Sequence, residues 1–167
     1  ELVNPEFDSR YRDYWTTYHQ LAERKGVTAE YARIEMRRRH TLIGAMMIYK
    51  GEADGMLCGT FGAHGQHLHY IDQVIGLRPG ARHYAAMNAI ILPTRTLFIC
   101  DTYVSHDPDA QQVAEMTLLA AEEVRRFGLV PKAALLSASN FGSVDTPSAR
   151  KMRAARMLWA KIVRDFG

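Results

Sequence analysis

The chain has 167 residues, 47% apolar and 23% charged, with 21 Lys and Arg against 18 Asp and Glu. That length fits one domain or two small lobes, and the composition is that of a folded globular chain. A disordered tail, a collagen-like rod and a disulfide-stapled miniprotein are excluded.

The net charge of +3 is spread thinly, with +1 over residues 1–40, −2 over 41–110 and +4 over 111–167. No block of like charge is long enough for a nucleic-acid stripe. The densest run, Arg37-Arg38-Arg39 with Arg33 one turn earlier, is relieved by Glu30 and Glu35. No nucleic-acid partner is expected. Cys58 and Cys100 show no C-x-x-C pairing and read as two buried free thiols of a reducing compartment. The longest apolar run, Leu42 to Tyr49, is far too short for a bilayer. The amino terminus carries no charged-then-apolar signal pattern. A cytoplasmic protein without membrane contact is expected.

In chain order, Arg10 to Lys25 lacks Gly and Pro and places Tyr11, Tyr14/Trp15, Tyr18 and Leu21 at helical spacing, with Gly26 as the stop. That aromatic stripe reads as core or subunit interface. Thr28 is an N-cap for a second helix running to about Arg39, with Glu30 in its first turn. Thr41 to Lys50 reads as a short apolar helix stopped by Gly51. Met56-Leu57-Cys58 reads as a short buried strand. The stretch from Thr60 to His69, with two glycines and three histidines, reads as a loop. A short helix follows over Tyr70 to Ile75, ending at Gly76.

Further on, Ala85 to Leu92 and Thr96 to Cys100 form a hairpin-like pair around Pro93-Thr94-Arg95. Asp107-Pro108-Asp109 supplies a cap, a proline at the first helical position and an acid in the first turn. The helix after it runs to Phe127, with Val113, Met116, Ala120, Val124 and Phe127 on one face and Gly128 beyond. Ala133 to Leu136 reads as a buried strand, and Thr146-Pro147 starts a last helix through Lys161. The strand–helix alternation predicts α/β layers with a largely parallel sheet.

Four groups of residues invite chemistry. The Ser137–Ser143 loop, leaving a strand and entering a helix, brings Ser137, Ser139, Ser143 and a close-approach Gly142, and suits either a phosphate cradle or a plain loop. Arg78, between Gly76 and Pro79, presents a planar fork to phosphate or carboxylate, or else caps carbonyls or pairs with Asp72. His64, His67 and His69 lack a nearby Cys or carboxylate to complete a zinc tetrad, so no metal site is expected. Asp101 either orients a ligand or caps Thr102 to Ser105. No Ser-His-Asp order, Walker loop or G-x-G-x-x-G appears.

Several of these stretches also match a family. Asn4-Pro-Glu-Phe-Asp8, Tyr11-Arg-Asp-Tyr-Trp15, Gly26-Val-Thr28, Thr41-Leu-Ile-Gly-Ala-Met-Met47 and Val74-Ile-Gly-Leu-Arg-Pro-Gly80 carry the first half of the match. Leu97-Phe-Ile-Cys-Asp-Thr102, Asp107-Pro-Asp109, Ala120-Ala-Glu-Glu-Val-Arg-Arg-Phe-Gly128 and Leu136-Ser-Ala-Ser-Asn-Phe-Gly-Ser143 carry the second. Together they resemble the carboxyl-terminal part of large bacterial NADP-dependent malic enzymes, which is itself similar to phosphate acetyltransferases.

The resemblance covers essentially the whole chain. It implies a fragment of a two-lobed, three-layer α/β/α phosphotransacetylase-like fold of the isocitrate/isopropylmalate dehydrogenase kind. Residues 1–84 would belong to the first lobe and 85–167 to the second. It implies a homo-oligomeric regulatory domain that binds acetyl-CoA, attached to an enzyme oxidising and decarboxylating malate to pyruvate with NADP and Mg or Mn. Arg78 matches the family's arginine, and Arg78, Ser137, Ser139, Asn140, Gly142 and Ser143 are the candidate contacts to the coenzyme's phosphates.

One departure bears on activity. Phosphate acetyltransferases carry a Thr/Ser-rich stretch before the Leu-Arg-Pro motif, where this chain has Asp72-Gln73-Val74-Ile75. Their further Ser-Arg and Asp catalytic residues map beyond Gly167. No catalytic residue is therefore expected here. An active phosphate acetyltransferase and a ligand-free assembly scaffold are the alternatives.

Overall fold

The computed structural model describes residues 4–140 and 143–166, the last four of these by backbone alone. It is a mixed α/β structure in which the chain forms two compact units, Glu1–Arg78 and Pro79–Gly167.

The first unit is helical. Helix α1 spans Tyr11–Ala22, a 3-10 turn follows over Glu23–Lys25, and α2 spans Ala29–Arg38. Gly26 ends the first pair with φ +89°, a left-handed conformation that glycine adopts without Cβ strain. The Thr28 side chain then caps α2 by accepting from the Tyr31 N–H at 3.1 Å. Helix α3 spans His40–Tyr49 and α4 spans His64–Val74. A single extended residue, Arg39, separates α2 from α3.

The aromatic stripe of α1 is core of its own unit. Tyr14 and Tyr18 bury with Met36, Leu42, Met46, Tyr70 and Val74. Gly44 gives Met56 room to lie across α3, since a Cβ there would stand 2.4 Å from the Met56 sulfur.

Three expectations fail. No strand forms at Met56-Leu57-Cys58: Met56 is held by α3 while Leu57 is fully exposed. With no neighbouring strand to pair with, that stretch stays irregular. The expected loop through His69 is in fact helical from His64: Gly62 lies ahead of α4, and the single Gly65 inside it costs a helix only about 1 kcal/mol. The thiols are also not buried, since Cys58 and Cys100 are both free and exposed.

The second unit holds a hairpin and two helices. Strand β1, Met87–Ile91, pairs antiparallel with β2, Thr96–Cys100, with Met87 opposite Cys100 and Ile91 opposite Thr96. The largely parallel sheet is not observed. A turn as short as Pro93-Thr94-Arg95 can join only antiparallel neighbours, and Ala133 to Leu136 pairs with no strand among the described residues. It is not buried either. Leu135 packs on the core, whereas Leu136 is 80% exposed.

Helix α5 spans Ala110–Arg126 and α6 spans Pro147–Phe166, and the two pack through Val113, Met116, Met152 and Ala155. The α5 cap lies two residues later than the first acid of the motif. Asp109 accepts from the Gln112 N–H at 2.8 Å while the Gln112 side chain accepts from the Asp109 N–H at 2.8 Å. Asp107 instead pairs with Lys151, and Pro108 precedes the cap. Among the described residues no helix is long and apolar enough to cross a membrane.

The reciprocal cap carries a testable consequence. Asp109→Ala is expected to lower stability by about 1 kcal/mol, read from urea denaturation of the full-length protein. Asp107→Ala, which loses only an exposed ion pair, is expected to cost clearly less. Equal losses would place the cap at the wrong acid.

Candidate functional site

The candidate residues fall in both units. In the first, Arg78 is exposed and follows the end of α4. The Ile75 and Gly76 N–H groups both donate to the Ile71 carbonyl, at 2.8 and 3.1 Å, and Gly76 turns the chain with φ +72°. Leu77 and Arg78 come next.

The preceding stretch points its side chains in opposite directions. Val74 is buried in the helical core and Gln73 accepts from the Tyr18 hydroxyl at 2.6 Å. Asp72 and Ile75 face outward, and Asp72 lies 4.0 Å from the Lys25 ammonium. Of these four side chains, Asp72 is the one polar group turned to solvent beside the Arg78 segment.

Behind α4 lies a buried polar group that the sequence reading took only as a charge relieving the arginine run. Glu35, 6% exposed, accepts from the Tyr70 hydroxyl and from Arg39 Nε at 3.0 Å. Burial, together with the hydrogen bond to Glu35, pushes the Tyr70 phenol well above its ordinary range. Tyr18 is pushed up to about 12, chiefly by burial. Its signal in the sequence was Glu35 standing one residue from Met36 on the inner face of α2, where a surface acid does not belong.

The histidines do not gather. His67 Nδ1 shares a hydrogen bond with Thr41 Oγ1 at 2.6 Å, and His69 stacks edge-on against Tyr70. Among the described residues no group of three metal-ligating side chains comes together.

In the second unit, the loop from Ser137 spends its hydroxyls on itself. The Ser139 N–H donates to Ser137 Oγ at 3.3 Å, and the Val144 N–H donates to Ser139 Oγ at 3.0 Å. The Ser143 N–H donates to the Asn140 carbonyl at 2.9 Å. Gly142 lies outside the described residues. Thr146 caps α6 by accepting from the Ala149 N–H at 3.2 Å, ahead of Pro147 in the first helical position. A carboxylate already stands beside that helix start, with Asp145 pairing Arg150 at 2.7 Å and Arg153 at 2.6 Å.

Asp101 is a structural brace. Its Oδ1 accepts from the N–H groups of Ala86 at 2.9 Å, Val104 at 3.2 Å and Tyr103 at 3.3 Å, and its Oδ2 accepts from Ser105 at 2.6 Å. Burial works to raise this carboxyl's pKa, but the donors from Ala86, Ser105 and Val104 together outweigh it and leave it lowered.

These features can be set beside known proteins. The profile described as "Phosphate acetyl/butaryl transferase" matches residues 1–166. The chain belongs to the phosphate acetyl/butaryl transferase family. Within it, the chain is 52% identical over 155 residues to the NADP-dependent malic enzyme of Escherichia coli K12, covering 93% of this chain and 20% of that protein. It is 46% identical to the NAD-dependent malic enzyme of Rhizobium meliloti over 166 residues, 99% of this chain and 22% of that protein. The phosphate acetyltransferase of Synechocystis is 34% identical over 92% of this chain and 22% of its own length. The structure of the EutD phosphotransacetylase from Staphylococcus aureus superimposes with a TM-score of 0.84 at 25% identity, covering 99% of this chain and 49% of that one. The chain thus spans about a fifth of the malic enzymes it matches.

The lowered Asp101 pKa fixes a pH dependence. A carboxylate with a folded pKa below its unfolded value, about 3.9, stabilises the fold above that value and loses its contribution as pH falls through the folded one. Urea midpoints of the full-length family member should therefore fall on acidification, and Asp101→Asn should remove part of that acid sensitivity. An unchanged pH profile in Asp101→Asn would assign the acid loss to other carboxylates.

Proposed function

We propose that this chain is the phosphotransacetylase-like part of a malic enzyme, where it binds acetyl-CoA as an effector and helps assemble the oligomer rather than transferring acyl groups. The observation that carries this reading is the step in similarity, from 52% and 46% identity with malic enzymes to 34% with a phosphate acetyltransferase. In the same proposal the complete domain has two three-layer α/β/α lobes of the dehydrogenase-like kind. Residues 1–84 contribute to one lobe and 85–167 to the other.

Malate is oxidised and decarboxylated to pyruvate by parts of the parent protein outside this stretch. In this reading those parts also hold NADP and the Mg or Mn ion. Relatives named for NADP and for NAD share this stretch at comparable identity, which supports placing the nucleotide preference elsewhere. The setting is the cytoplasm.

Arg78 is the anion contact of the first unit. It is exposed and stands four residues past the last residue of α4, where a guanidinium can fork onto a phosphate. Ser137, Ser139, Asn140, Gly142 and Ser143 are the second set of proposed contacts to the coenzyme. Acyl transfer needs donors pre-positioned around developing charge. Ahead of the Leu-Arg-Pro motif, where the resemblance to phosphate acetyltransferases leads one to expect hydroxyls, this chain has Asp72, whose carboxylate can offer no hydrogen bond to that charge.

A phosphate acetyltransferase remains the competing reading, favoured by the family match and the structural neighbour. A coupled assay of acetyl phosphate with coenzyme A on the full-length protein separates the two, with negligible turnover expected. Inhibition of malate oxidation by acetyl-CoA is expected in the same preparation and should be lost in Arg78→Ala. Brisk thioester formation, or an undiminished acetyl-CoA response in Arg78→Ala, would overturn the proposal. For the scaffold reading, the main candidate surface was the tyrosine stripe of α1. Tyr14 and Tyr18 are spent on the unit's own core.

A further inference from the structure

Helix α4 is held differently from its neighbours. Three of its side chains, one turn apart, each hydrogen-bond a different helix. His67 meets Thr41 of α3, Tyr70 meets Glu35 of α2, and Gln73 meets Tyr18 of α1. At about 100° per residue, each step of three swings the side chain back by about 60°, so the three directions fan across the face that packs on the bundle. Each bond therefore finds a separate partner.

We infer that these bonds key α4 at one axial and rotational register, and that this register positions Arg78. The inference rests on the reading of Arg78 as an effector contact. Apolar packing by Tyr70 and Val74 alone is non-directional and tolerates sliding. Hydrogen bonds of normal length do not, because they weaken steeply with misalignment. Tyr70 and Glu35 are both buried, so slipping α4 leaves the phenol without its acceptor and the carboxylate with Arg39 alone. Past Gln73 the chain is fixed as far as Gly76, since Ile75 and Gly76 both donate to Ile71, and only Leu77 lies between Gly76 and Arg78. Tyr18, Glu35, Tyr70 and Gln73 are thus positioning residues, acting through α4 and touching no ligand.

The test uses three tyrosines of one unit. Tyr18→Phe and Tyr70→Phe each delete one hydroxyl that keys α4. Tyr14→Phe deletes a comparable bond, to Glu52 at 2.5 Å, that does not involve α4. Hydrogen-exchange mass spectrometry on the full-length protein should show peptides over residues 71–79 exchanging about fivefold faster in Tyr18→Phe and in Tyr70→Phe, as for the loss of one net hydrogen bond. Tyr14→Phe should leave those peptides unchanged. No acceleration in the first two, or equal acceleration in Tyr14→Phe, overturns the inference.

The ratio of malate oxidation rates with and without acetyl-CoA gives the second readout. Tyr70→Phe should raise the half-effective acetyl-CoA concentration about fivefold. Faster exchange with an unchanged half-effective concentration upholds the keying of α4 and removes Arg78 from the effector site. The two readings can therefore fall separately.

Discussion

A buried phenol or carboxylate is tolerated only if each polar atom finds a partner as it leaves water. The helical unit is organised around that constraint. Glu35, Tyr18 and Tyr70 lie in or against its core, and each is paired with a side chain from another helix. The apolar residues around them supply the drive to pack, but they set no register by themselves. The polar pairs select one arrangement of four short helices from the many that bury similar area.

The same constraint reaches the candidate site. Gln73 and Val74 turn inward because the core uses them, which leaves Asp72 and Arg78 as the charged groups at the outer end of α4. The stretch Asp72-Gln73-Val74-Ile75 is divided between core and a solvent-facing carboxylate. In the second unit, the loop after residue 137 is held by its own serines, and Asp101 gathers the N–H groups that follow β2. Polar residues that read as ligand-seeking thus also serve the backbone beside them.

Much of this was legible along the chain, wherever a short-range rule governs. Gly26 and Gly76 stop helices because a left-handed residue suits glycine, and Thr28 caps α2 through an oxygen three residues from its donor. The hairpin follows from a turn too short for any other connection. Where the reading failed, a distant partner was missing from the pattern. Met56-Leu57-Cys58 and Ala133 to Leu136 have strand composition, but a strand exists only against a neighbour. The histidine-rich stretch has loop composition, yet one glycine inside a helix, Gly65, is offset by the packing of α4 on the core.

Local chemistry settled by the sequence alone therefore includes the helix stops, the caps at Thr28 and Thr146, the hairpin and the family motifs around Arg78. Interactions spanning tens of residues were decided only by tertiary structure: Glu35 with Tyr70, Tyr18 with Gln73, Asp101 with Ala86. The reason is geometric. A cap or turn depends on atoms a few bonds apart, whereas the partner of a buried polar group is whichever side chain the packing of the whole unit brings within about 3 Å.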